Sequence, residues 1–204
     1  MRIAITGGSN GIGMATALAF GRNGDDICIT YNIDKDSALK VAEKTGAKVV
    51  NLDVTDNGSI ADFKSILEEW RPEVIVNNAG VARWKKFKYH DIEDIESIMR
   101  VNAEGAIKVA KVGMDLNIPK VINIASGAAR QPFDNLPVYC ASKAALRMLT
   151  MAVGEPMICV NPGMTKTRMT EYQGADPEDT AAVIVDVAYN KRGEFGGEVD
   201  VWSE

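Results

Sequence analysis

The chain has 204 residues, of which 46% are hydrophobic and 25% charged, and a formal net charge of −5. This is enough for one sizeable core, so a single domain over residues 1–204 is expected. The acidic balance carries no basic stripe, which argues against a nucleic-acid partner. Its apolar runs are broken well short of membrane-spanning length.

Short β-branched runs alternate with longer helical patterns, without internal repeats. In chain order the patterns predict a strand over 2–6, a helix over 13–23, a strand over 26–31 and a helix over 36–45 stopped by Gly46. A strand over 48–52, a helix over 59–70 and a strand over 73–77 follow. Residues 92–115 form one or two helices, 120–125 a strand, 138–152 a helix, 157–161 a strand, 177–189 a helix and 197–202 a closing strand. Seven strands with intervening helices imply parallel βαβ units: an α/β fold with a Rossmann-like, doubly wound sheet between two helical layers. The N-terminus runs straight into a strand with no signal segment, and Cys28, Cys140 and Cys159 show no paired spacing. A cytoplasmic protein without disulfides or a metal site is expected. The single histidine, His90, reads as a polar loop residue, which leaves no Ser-His-Asp hydrolase.

In such sheets ligands bind beyond the carboxyl ends of the strands. After the first strand, Thr6-Gly7-Gly8-Ser9-Asn10-Gly11-Ile12-Gly13 places four glycines in seven residues ahead of a helix. That pattern suits a tight turn, close approach of a pyrophosphate, and helix N–H groups aimed at it. After the second strand, Tyr31 and Asn32 offer no carboxylate for ribose hydroxyls, which favours NADP over NAD, while Asp34 and Lys35 pull in opposite directions. Asp53 and Val54 follow the third strand, where Asp53 serves equally as an adenine acceptor or a turn cap. Asn77-Asn78-Ala79-Gly80 follows the fourth: small residues for the cofactor to lie against, and amides to hold strands together. Ser126 follows the fifth. Pro162-Gly163, then Thr165 and Thr167, follow the sixth. Tyr139 and Lys143 in Tyr139-Cys140-Ala141-Ser142-Lys143 are one helical turn apart on one face. Moving a phenol from ~10 to about 7 takes roughly 4 kcal/mol. An ammonium at ~4–5 Å with an effective dielectric of about 20 supplies roughly 3–4.

Jointly and in this order, these motifs resemble the short-chain dehydrogenase/reductase family over almost the whole chain. The resemblance implies a carbonyl/alcohol oxidoreductase using NADP or NAD. Tyr139 would be its acid/base, Ser126 would hold the substrate oxygen, and Lys143 would bind ribose and lower the Tyr139 pKa. Asn102 would fix a water linking Lys143 to solvent. The glycine turn (Gly7, Ser9, Asn10, Gly11, Ile12, Gly13), with Tyr31, Asn32, Asp53, Val54, Asn78, Ala79, Gly80, Pro162, Gly163, Thr165 and Thr167, would hold the cofactor. Two rivals are a non-catalytic dinucleotide sensor and a nucleotide-sugar epimerase or dehydratase. The four catalytic positions argue against the first, and the absence of a longer C-terminal substrate region against the second.

The chain departs from the family pattern at two places. Pro162 follows Lys143 by only nineteen positions, which shortens the helix that family members use in homodimers or homotetramers. Residues 164–175 also make a short substrate loop, implying an open site and a broad or bulky substrate. Trp84 and Phe87, among Arg83, Lys85, Lys86 and Lys88, read as a solvated basic loop in preference to a dock for an anion. Arg130 and Gln131 are candidate pocket residues, and Met148, Met151 and Met157 read as packing.

Overall fold

The computed structural model describes residues 1–202, so the last two positions of the expected 1–204 span lie outside it. Seven strands form one sheet: β1 (Arg2–Ile5), β2 (Asp26–Tyr31), β3 (Lys48–Asn51), β4 (Val74–Asn77), β5 (Lys120–Ile124), β6 (Met157–Asn161) and β7 (Glu198–Asp200). Their order is β3-β2-β1-β4-β5-β6-β7 and every pairing is parallel. This is the expected Rossmann-like, doubly wound sheet. The direction of winding reverses between β1 and β4, where such sheets open a crevice.

Alternation along each strand feeds two cores. Ile3 and Ile5 join Ala17 and Phe20 of α1 (Gly11–Arg22), Ala38 and Val41 of α2 (Lys35–Thr45), and residues of the last helix. Ala4, between them, joins Phe63 and Leu67 of α3 (Asn57–Trp70) on the opposite face. Phe20 and Phe63 are fully buried; truncating such a ring costs roughly 3–5 kcal/mol. Both faces are covered, which is why the strands read as near-continuous apolar runs.

Local chemistry sets the helix ends. Asp34 and Asp56 cap α2 and α3 by accepting from the Ser37 and Ser59 N–H groups, so both helices begin earlier than the pattern suggested. Residues 92–115 form one rod: α4 (Ile92–Met99), a wide π-turn over Arg100–Gly105, and α5 (Ala106–Asp115). Helix α6 (Pro137–Val153) starts at a proline and stops at Gly154, whose φ is +75°. Helix α7 (Pro177–Ala188) packs beside α1. The closing strand is shorter than expected, and Trp202 beyond it lies against Gly127 and Gly163.

Buried amides connect these layers. Asn77 Nδ2 donates to the Ala106 carbonyl and to Asn123 Oδ1, both at 2.8 Å, and Asn123 Nδ2 donates to Thr150 Oγ1 at 2.9 Å. The chain of bonds runs from α5 through β4 and β5 to α6, and so fixes the helix that bears Tyr139 and Lys143. Among the described residues no helix is long and apolar enough to cross a membrane. No group of three or more His, Cys, Asp or Glu among them could hold a metal.

Candidate active site

The turn after β1 sits at the reversal point, locked to the end of β4. The Thr6 hydroxyl accepts from the N–H groups of Asn78 and Ala79 at 2.9 and 3.0 Å, and Asn78 Nδ2 donates to the Thr6 carbonyl at 2.9 Å. Gly7 has φ +66°, and a Cβ there would stand 3.1 Å from Ala79 Cα. A Cβ at Gly13 would stand 2.6 Å from Asn78 Nδ2. Only glycine fits either place. Asn10 precedes α1 without capping it; its amide donates to Ser9 Oγ and Asp34 Oδ2 instead. The free N–H groups at the start of α1 are thus left for an anion.

Tyr139 lies in the first turns of α6 and Lys143 one turn further, buried. Lys143 Nζ donates to the Ile124 carbonyl at 2.8 Å and lies 5.8 Å from the Tyr139 ring centroid. Burial pushes the Tyr139 phenol up to about 12, with a Ser126 hydrogen bond pulling it partly back, and pushes Lys143 down to about 8. In the chain by itself desolvation is the largest influence on the phenol. Asn102 lies in the π-turn. Its Oδ1 accepts from the Val81 N–H at 2.8 Å, and its Nδ2 donates to the Val81 carbonyl at 2.7 Å and Ser142 Oγ at 3.1 Å. Its side chain braces the loop after β4. Such turns concentrate at functional sites.

A cavity of about 400 Å³ lies between the glycine turn and Tyr139. Of the residues singled out in the sequence, Gly7, Ser9, Asn10, Gly11, Ile12, Asn78, Ala79, Gly80, Ser126, Tyr139, Lys143, Pro162, Gly163, Thr165 and Thr167 line it. Gly13, Tyr31, Asn32, Asp53, Val54 and Asn102 do not. Asp53 Oδ1 accepts from the Thr55 N–H and hydroxyl at 2.8 and 2.7 Å, which is the turn role. Val54 is buried against Gly105. Asn51 Nδ2 donates to the Tyr31 and Asn32 carbonyls at 3.3 and 3.0 Å.

Residues 164–175 form a strap across the cavity, closed by a Thr165–Ala175 bridge and a short turn over Arg168–Thr170. Trp84 Nε1 donates to the Met169 carbonyl at 2.6 Å, and Arg168 Nη1 meets Asp34 Oδ2 at 2.9 Å. The strap is short, as expected, yet pinned on both sides. Its Met164, Arg168 and Met169, together with Phe133 and Leu136, line the cavity and were not singled out in the sequence. Apolar Phe133 and Leu136 between Pro132 and Pro137, just before Tyr139, were a usable signal; Arg168 had none.

Some of the remaining expectations hold here and others fail. Arg130 does not line the cavity but pairs with Asp200. Arg83 and Lys85 pair with Asp94. His90 stays a loop residue, but its side chain is buried, with Nδ1 3.8 Å from Asp94 Oδ2 and neither ring nitrogen hydrogen-bonded. Met148 and Met151 are exposed, while Met157 is buried.

A family model described as short chain dehydrogenase matches residues 1–178. The chain belongs to the short chain dehydrogenase family. It is 30% identical to the "Probable oxidoreductase EphD" of Mycobacterium tuberculosis over 95% of its own length, but spans only 35% of that protein. It is 31% identical to the L-xylulose reductase of Caenorhabditis elegans, covering 87% of this chain and 76% of the relative. A short chain dehydrogenase from Burkholderia cenocepacia, crystallised in complex with NADP, superposes with a TM-score of 0.88 at 24% identity, covering 98% of this chain and 95% of the other.

Proposed function

We propose that this short chain dehydrogenase interconverts a carbonyl and an alcohol and prefers NADP(H) to NAD(H). The observation that carries the reading is that Ser126, Tyr139 and Lys143 face the same cavity as the glycine turn. The glycine turn fits a dinucleotide: a Cβ at Gly7 or Gly13 would press on the Asn78–Ala79 backbone or amide, and the start of α1 is left without side-chain caps. Gly7, Ser9, Asn10, Gly11, Ile12, Ala79, Gly80, Gly163, Thr165 and Thr167 would hold it, with Lys143 on the nicotinamide ribose.

The cofactor preference rests on charge. Tyr31 and Asn32 bring no carboxylate, and Asp34 is already engaged. Its Oδ1 accepts from the Ser37 N–H at 3.0 Å, and its Oδ2 meets Asn10 at 3.3 Å and Arg168 at 2.9 Å. The Burkholderia relative was crystallised with NADP.

The chemistry that such a cofactor supplies is a hydride for the carbonyl carbon. Tyr139 gives its proton to the carbonyl oxygen, the Ser126 hydroxyl donates to the same oxygen, and the product is the alcohol. Burial keeps the Tyr139 phenol protonated well above neutral pH in the chain by itself, so it presents an acid to a carbonyl oxygen. Asn102 acts through others, by holding Val81 and Ser142.

Fluorescence titration with NADPH and NADH, followed by a panel of carbonyls and alcohols, tests this. Tyr139→Phe should lower turnover by about 10²–10⁴-fold while NADPH affinity is kept. Near-normal turnover in that variant would remove Tyr139 from the chemistry. NADPH binding with no turnover across the panel would favour the sensor reading, and tighter binding of NADH would reverse the cofactor preference.

A further inference from the structure

We propose that the substrate end of this cavity selects an aryl-bodied aldehyde or ketone without charged or polyhydroxylated substituents. The inference deepens the oxidoreductase reading and rests on it. Around Tyr139 and Ser126 the wall is built from Trp84, Phe133, Leu136, Met164 and Met169. Trp84 and Phe133 are 45% and 44% exposed, so a planar apolar ligand has aromatic surface to cover. Flexible methionines on the strap adapt to its outline.

The polar groups near this wall are engaged. The Trp84 indole N–H goes to the Met169 carbonyl at 2.6 Å. The Thr170 hydroxyl donates to the Thr165 carbonyl at 2.5 Å and accepts from the Thr167 N–H at 3.1 Å. Ser126 and Tyr139 remain, and the reacting oxygen takes both. A substrate hydroxyl elsewhere on the ring would lose water and find no protein partner.

Charge points the same way. Among the described residues no Asp or Glu lines the cavity, and its ionised lining groups are Lys143 and Arg168. Lys143 donates beneath Tyr139 to the Ile124 carbonyl, and Arg168 is held by Asp34 on the glycine-turn side. Around the mouth, Arg83 and Lys85 share the single carboxylate of Asp94, Lys86 lies 3.9 Å from Asp134, and Arg130 pairs with Asp200. The wall of Trp84, Phe133, Leu136, Met164 and Met169 itself offers a substrate carboxylate or phosphate no cation.

The test compares three ketones, each with NADPH: 2-tetralone, a pentulose and phenylglyoxylate. For 2-tetralone kcat/KM should exceed the other two by about 100-fold or more, as expected when each unmatched hydroxyl or charge costs roughly tenfold or more. Phe133→Ala, at the exposed rim, should lower the 2-tetralone value by about tenfold relative to that for the pentulose. Binding is read separately: 2-tetralone should quench tryptophan fluorescence in the wild type and much less in Trp84→Phe, with no response to the pentulose. Equal or better turnover of the pentulose or phenylglyoxylate overturns the substrate class while leaving the oxidoreductase reading intact. Selective quenching by 2-tetralone without turnover of any ketone overturns the oxidoreductase reading and upholds the selectivity of the cavity. Absence of both overturns the two together.

Discussion

Lys143 is 3% exposed, and burial pushes its ammonium down to about 8 from an ordinary 10.5. Between those two values the unfolded chain holds the proton that the folded chain has lost, so this group adds stability as pH rises from 8 to 10.5. Below pH 8 the folded state bears the whole cost of a charged, buried amine, at most about 3 kcal/mol. Lys143→Met should therefore melt above the wild type at pH 7, with the gap closing between pH 8 and 10.5. Calorimetric melts across that range check it; a variant that melts lower at every pH would mean that the Ile124 hydrogen bond outweighs desolvation. The same burial explains why the Tyr–Lys spacing was readable while its electrostatics were not. Spacing on a helix is local, whereas desolvation depends on everything packed around the pair.

Helix α6, which carries that pair, is tied to the far edge of the sheet. Arg147 donates to both oxygens of Glu198 at 2.6 and 2.7 Å, and Asn161 Nδ2 donates to Glu198 at 2.8 Å and to Asp200 at 2.9 Å. The Arg147 guanidinium holds the Glu198 carboxyl down to about 2, against an ordinary 4.5. A lowered acid stabilises the fold above its unfolded value, and that contribution is lost as pH falls from 4.5 toward 2. Glu198→Gln should lower the melting temperature at pH 7, and the difference from wild type should shrink across that acid window. Circular dichroism melts from pH 7 to 2.5 read it, and a difference independent of pH would detach the ion pair from α6. At this scale the sequence read well where a stop signal is local: α6 lies within one residue of expectation at each end because Pro137 starts it and Gly154 stops it. It could not divide residues 92–115, because the π-turn belongs to a packing arrangement in which Asn102 reaches Val81, 21 positions away.

Across the whole molecule, the outer surfaces of α5 and α6 carry Ile107, Met114, Met148, Met151 and Val153, all exposed. Packing was the expected role for Met148 and Met151, yet they find no cover within the chain. Apolar side chains on two adjoining helices favour self-association. Light scattering after size exclusion should give a mass above one chain at tens of micromolar. Met148→Lys combined with Met151→Lys should return it to one chain; a wild-type protein that already runs as a monomer would sink the idea.

The sequence by itself determined the order of elements, the parallel sheet and the residues at each strand end. Period-2 and helical patterns, glycine geometry and a helical i, i+4 spacing are all properties of neighbours along the chain. Only the tertiary structure decided that the strap is pinned: Arg168 meets Asp34 across 134 positions, and Trp84 meets Met169 across 85. It also decided that Arg83 and Lys85 share the Asp94 carboxylate, that Asp53 turns back on Thr55, and that burial raises the Tyr139 phenol. Pairing and desolvation arise from groups brought together by the fold, and no local pattern encodes which partner a charge will meet.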